Sequence, residues 1–142
     1  YFQDKIEPLL IGQKLVEFVG EIGDDEKSAF LGGAKALLFP IDWPEPFGLV
    51  MIEAMACGTP VIAYGCGSVP EVIDDGQTGF IVSSDDEALA AISRIPSLNR
   101  REVRRRFDER FSSVAMAQRY LDLYARLAGA RPELGVALAA NA

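Results

Sequence analysis

A chain of 142 residues with 49% hydrophobic side chains is long enough for one domain with its own core and too apolar to be disordered. Its formal charge of −7 argues against general nucleic-acid binding, and the lack of histidine excludes histidine acid–base chemistry and histidine metal sites. Cys57 and Cys66 lack metal-ligand spacing and read as free thiols of a reducing compartment, and no run has membrane-spanning length or the form of a signal peptide.

In chain order, residues 1–11 read as the end of a helix leading to a turn at Gly12-Gln13, and residues 15–19 as a short strand. Asp24 fits an N-cap, with a helix to about residue 31 that Gly32-Gly33 ends. Residues 36–39 are an apolar run of strand length. Three prolines and Trp43 make residues 40–47 a loop, and an apolar helix follows over about 48–57, stopped by Gly58. Residues 60–64 form a second apolar strand. After a Gly65-Cys66-Gly67 loop, Ser68 with Glu71 reads as a capping box on a short helix. Turn signals at Asp74-Asp75-Gly76 and Thr78-Gly79 precede a strand over 80–82, and helices are expected at about 85–94, 99–107 and 112–128. Residues 1–128 read as one domain, truncated at its start, and 129–142 as an Ala-rich tail.

Strands that alternate with helices and are apolar on both faces indicate an α/β fold, a parallel sheet covered by helices. About four parallel strands are expected, an incomplete Rossmann-like unit. Ligands of such sheets bind beyond the carboxyl ends of the strands, where the loops carrying Glu45 and Gly65 to Ser68 fall.

The most informative segment is Glu45-Pro46-Phe47-Gly48-Leu49-Val50-Met51-Ile52-Glu53, two carboxylates with seven residues between them. Pro46 suits a helix entry, so Phe47, Gly48 and Leu49 offer first-turn N–H groups that, with the helix dipole, suit a phosphate. Gly48 lets a ligand approach the backbone. Glu53 lies one turn beyond Leu49 on the same face, about 6 Å along the axis, and a carboxylate there can accept from both hydroxyls of a vicinal diol. Sugar, diphosphate and ribose would then map onto Glu45, the helix start and Glu53. The alternative is a first-turn glutamate serving the dipole and a solvated helix glutamate. The apolar run around Glu53, from Leu49 to Ala56, favours the first reading.

Phe39-Pro40, Trp43-Pro44-Glu45-Pro46-Phe47-Gly48-Leu49 and Ile52-Glu53-Ala54-Met55-Ala56-Cys57-Gly58-Thr59-Pro60-Val61-Ile62-Ala63 resemble the signature of the family 4 retaining glycosyltransferases. Gly67-Ser68-Val69-Pro70-Glu71-Val72-Ile73, Asp75-Gly76-Gln77-Thr78-Gly79-Phe80-Ile81-Val82 and Val16-Glu17-Phe18-Val19-Gly20 resemble neighbouring blocks, so the likeness covers roughly residues 1–127. The resemblance implies the later part of the C-terminal, donor-binding domain of a GT-B enzyme. It implies a nucleotide-sugar donor (UDP-, GDP- or ADP-linked), no metal or other cofactor, and donor contacts from Glu45, Phe47, Gly48, Leu49, Glu53 and Ile22. Glu45 would act at the sugar, as the residue closest to a catalytic role, and Glu53 at the ribose. The family's diphosphate-binding Arg and Lys and its acceptor domain find no counterpart here, so the chain reads as a fragment, inactive alone.

Other residues keep two readings. Ile22 is a base contact or an ordinary turn residue, and Lys27 a phosphate contact or a solvated helix lysine. Gly65, Gly67 and Ser68 are N–H donors to the sugar or a plain capped loop, and Trp43 lines an acceptor cleft or is a loop tryptophan. Arg100, Arg101, Arg104, Arg105, Arg106 and Arg110, interleaved with Glu102, Asp108 and Glu109, read first as a solvated helix face. Weak contact with anionic headgroups on the inner face of a membrane, by an otherwise cytoplasmic protein, is their alternative. An open sheet edge brings a risk of self-association. Rival functions are a non-catalytic nucleotide-sugar binding module and a glycoside hydrolase using both carboxylates.

Overall fold

The computed structural model describes residues 1–129. A π-helical turn over Phe2–Ile6 runs into α1 (Glu7–Leu10), followed by α2 (Asp24–Gly33), β1 (Leu37–Phe39), α3 (Leu49–Ala56), β2 (Val61–Tyr64), α4 (Val69–Val72) and β3 (Gly79–Val82). Then come α5 (Asp85–Arg94), α6 (Arg100–Arg110) and α7 (Ser113–Leu127). The sheet is parallel throughout, in the order β1-β2-β3, with Leu37 opposite Val61 and Val61 opposite Gly79. A Cβ on Gly79 would run into the Val61 carbonyl, so the spacing of β2 and β3 at this point requires glycine.

The sheet is covered on both faces, as expected for an α/β fold. Successive residues of β2 point to opposite sides. Val61 and Ala63 join Leu31 of α2, Met51, Ala54 and Met55 of α3, Val69 and Val72 of α4 and Val103 of α6 in the larger core. Ile62 packs on the other side with Phe80, Val82 and Ala91 of α5. Burying these side chains is the main drive for assembling the layers.

The described residues hold three strands where about four are expected. Residues 15–19 are not a strand: Leu15 is 99% exposed, and among the described residues no strand pairs with this segment. A strand exists only with a neighbour, which apolar pattern alone cannot guarantee. Phe18 instead stacks on Phe2, ring centroids 4.3 Å apart. Gly23, not Asp24, is the N-cap of α2, and Gly32-Gly33 forms its last turn rather than following it. The expected tail lies, beyond Gly129, outside the described residues.

Side-chain caps start three of the later helices. Ser84, Asn99 and Ser112 accept from the N–H groups of Glu87, Arg101 and Ala115, capping α5, α6 and α7. At the end of α3, Gly58 (φ 69°) donates to Met55 and Thr59 donates to Ala54, a Schellman motif that turns the chain into β2.

The arginine-rich α6 is not simply a solvated face. Arg100 donates to the carbonyls of Gly32 (2.7 Å) and Ala34 (2.6 Å) at the end of α2, Arg104 to Ala56 (2.7 Å) at the end of α3, and Arg110 to Glu71 and Val72 in α4. Guanidinium groups thus satisfy orphan carbonyls at three helix C-termini, where the dipole favours a positive charge. Arg106 and Arg110 also grip Asp74, at 2.9 and 3.0 Å. Arg105 alone of these pairs only along the helix, with Glu102 and Glu109.

Candidate functional site

The loop from Pro40 to Gly48 joins the carboxyl end of β1 to α3, and the Gly65 to Ser68 loop leaves the carboxyl end of β2 beside it. The two are tied together at Glu45. Its N–H donates to Trp43 (2.7 Å), and its carbonyl accepts from Ser68 N–H (3.0 Å). Gly67 (φ 56°) presses onto the same peptide: a Cβ would lie 2.5 Å from Glu45 O and 2.6 Å from Glu45 N. Glu45 is therefore fixed by backbone from two loops at the binding edge.

The Glu45 side chain reaches the entry of α3, where Oε1 accepts from Gly48 N–H at 3.3 Å. Gly48 is the N-cap, in left-handed conformation (φ 71°, ψ 64°). A Cβ there would meet Met51 Cε at 2.6 Å and Phe39 Cζ at 3.1 Å, so the left-handed conformation demands glycine and the packing leaves little room beside it. The helix starts at Leu49, three residues after Pro46 and one after the start expected near residue 48. Its leading N–H groups belong to Leu49 and Val50, while Met51 N–H already bonds Gly48 O. Phe47 lies outside the helix and is not a first-turn donor. Its ring meets Phe111 edge-on, centroids 6.5 Å apart, and helps seat the junction of α6 and α7.

Glu53 stands one turn beyond Leu49 and is not a lone carboxylate in an apolar helix. Lys27 Nζ, from α2, lies 3.1 Å from Glu53 Oε1 and 3.1 Å from Asp24 Oδ1. Both carboxylates, Glu53 foremost, raise the Lys27 pKa above its ordinary value. The pair borders a cleft of about 220 Å³ lined also by Ser28, Leu31, Ala56 and Cys57. Ile22 sits half-buried just ahead of α2. The structure thus brings Glu45, Gly48 and Leu49 together at one helix entry, with Glu53 one turn along it. It shows no contact of Ile22 with them.

Two features escape the sequence. Lys27 meets Glu53 across 26 residues, and only the Asp24–Lys27 spacing on one helix hints at an ion pair. Ser68 precedes α4 without forming the expected capping box: its Oγ is buried with no hydrogen-bond partner among the described residues. Both cysteines are free thiols.

The profile of the family described as "Glycosyl transferases group 1" matches residues 2–112. The chain is 40% identical over 77 residues to a D-inositol 3-phosphate glycosyltransferase of Streptomyces scabiei, covering 54% of this chain and 17% of that protein. It is 34% identical over 92 residues to a phosphatidyl-myo-inositol mannosyltransferase of Mycobacterium leprae, covering 65% and 25%. A sucrose-phosphate synthase from Thermosynechococcus elongatus superposes with a TM-score of 0.72 at 34% identity, over 89% of this chain and 34% of that one. AviGT4, a glycosyltransferase involved in avilamycin A biosynthesis, superposes at 0.63 with 32% identity, over 81% and 37%. The chain therefore spans only a part of these relatives' length. With its parallel sheet, its two-faced helical cover and this match, the chain belongs to the group 1 glycosyltransferases, of GT-B architecture.

Proposed function

We propose that this chain is the donor-binding part of a retaining family 4 glycosyltransferase. The observation that carries the reading is the order along α3: a backbone-clamped Glu45, the open N–H groups of Leu49 and Val50, then Glu53 one turn on. In the reaction the bond from the sugar's anomeric carbon to the nucleotide diphosphate breaks. The acceptor hydroxyl oxygen bonds to that carbon with retained configuration, and its proton passes to the departing diphosphate oxygen. The helix entry stabilises the charge left on the diphosphate. Glu45 orients the donor sugar, and in doing so releases Gly48 N–H to the phosphate. Glu53 accepts from the ribose hydroxyls. Ile22 is the proposed contact to the base, and the diphosphate is to be held without a metal.

The hydrolase rival asks one carboxyl group to act as a proton donor across a glycosidic bond. Glu53 instead accepts from Lys27, and N–H groups lie between the two carboxylates, which suits a diphosphate. The rest of the proposal concerns partners. The acceptor domain belongs to the same protein, the donor is UDP-, GDP- or ADP-linked, and the site works in the cytoplasm. No helix among the described residues is long and apolar enough to cross a membrane. Five arginines of α6 already donate within the chain, which leaves little of the charge invoked for lipid contact.

Ligand-observed NMR tests the reading, because it detects millimolar affinity. UDP, GDP and ADP with their glucose or mannose conjugates are titrated against the chain and Glu53→Ala. Binding of one nucleotide, lost in the variant, supports the donor site. Equal binding by both removes Glu53 from it.

A further inference from the structure

We propose that Lys27 is the positioning residue of the ribose site: it holds Glu53 by one oxygen so that the other is presented to the donor. The inference rests on the reading of Glu53 as the ribose carboxylate. Lys27 and Glu53 come from different helices, α2 and α3, and meet at 3.1 Å with both side chains 36% exposed. Glu53 is thus open to a ligand and yet anchored. The contact uses Oε1, which leaves Oε2 outside this pairing and able to accept from a ligand. An unanchored glutamate on a helix surface samples several rotamers, and a ligand must stop that motion before it can bond.

The second arm of the lysine, to Asp24, keeps the ammonium in place. Asp24 itself is almost fully exposed (99%), so it screens easily and adds little on its own. An ammonium has three donors, and with two engaged the third remains for a ligand in the cleft. Pairs as exposed as this one contribute little to folding. Leu31 is the buried residue that fastens α2 to the core, and it does so independently of Lys27. A substitution of Lys27 is therefore expected to act on binding rather than on the fold.

The test compares a ribonucleotide with its 2′-deoxy counterpart, using whichever of UDP, GDP and ADP binds the 142-residue chain. Affinities are measured for the parent, Glu53→Ala, Lys27→Met and Lys27→Arg, with thermal midpoints alongside. The parent prefers the ribonucleotide by about tenfold to a hundredfold, the worth of one hydrogen bond to a charged group. Glu53→Ala abolishes the preference. Lys27→Met removes most of it with an unchanged thermal midpoint, and Lys27→Arg restores it in part. If Lys27→Met keeps the whole preference while Glu53→Ala loses it, the positioning role is wrong and the ribose reading stands. If Glu53→Ala also keeps the preference, or a folded parent binds none of the three nucleotides, the ribose reading fails and the inference with it.

Discussion

Gly67 is the position at which a single methyl group would do most damage to the site. A Cβ would stand 2.5 Å from one backbone atom of Glu45, 2.6 Å from another and 2.9 Å from the Pro44 carbonyl carbon, and φ is +56°. Backbone cannot yield as a side-chain tip does. Gly67→Ala is expected to cost about 2–3 kcal/mol, the range for overpacking combined with left-handed strain. It should also push Glu45 from its place, weakening a nucleotide sugar more than the bare nucleotide. Denaturant unfolding and parallel titrations check the two halves of this prediction. Glu45 itself offers the complementary experiment. Its carboxylate now sits on Gly48 N–H, in front of the helix entry, where it competes with an incoming phosphate. Glu45→Gln keeps an oxygen for that N–H and removes the charge. The variant should bind the bare diphosphate nucleotide about twofold to fivefold more tightly, as expected for one charge at a helix N-terminus. Calorimetric or NMR titration reads the change, and weaker binding would contradict it.

Among the elements, α6 serves as the fastening for three other helices, and its contacts differ greatly in weight. Asp74 receives Arg106 Nε and an Arg110 nitrogen in a partly shielded place, only a quarter exposed. Asp74→Asn should lower stability by about 1–2 kcal/mol, after allowance for remaining solvent. Arg105→Ala, which removes a pair of contacts along the exposed face, should leave the unfolding midpoint nearly unchanged. The same helix shows what sequence can and cannot reveal. The starts of α5, α6 and α7 were legible to within a residue, where Ser84, Asn99 and Ser112 each cap their own helix, while α6 runs to Arg110, three residues past its expected end. The targets of Arg100, Arg104 and Arg110 are carbonyls, which every residue carries, so nothing in the sequence marks the ones that are used. Residues 15–19 fail as a strand for a related reason: pairing requires a neighbour that a local pattern cannot supply. The helix of the site, α3, was legible to within a residue at each end, but the geometry of its entry was not. Pro46 signals an entry, yet the left-handed Gly48 delays it to Leu49.

At the scale of the molecule, the three-stranded sheet of the described residues is open, and β1 forms one of its two edges. Leu38, in the middle of that strand, is 55% exposed and lines an apolar groove of about 360 Å³ with Ile62, Ala88 and Ile92. Unprotected edges of this kind pair with other chains. The chain is expected to self-associate as concentration rises, and Leu38→Lys to suppress it by placing a charge on the edge. Light scattering after size-exclusion chromatography checks this; a monodisperse parent at high concentration would contradict it. The donor reading makes its sharpest claim at this scale too, because it names one patch of the surface and leaves the others idle. The most direct test is a nucleotide titration followed through the backbone amides of the labelled chain. The account predicts that UDP, GDP or ADP shifts the amides of Gly48, Leu49 and Val50 together with those around Glu53 and Lys27, and leaves the α5 groove unmoved. Binding that perturbs the groove or the α6–α7 junction and spares the start of α3 would contradict it.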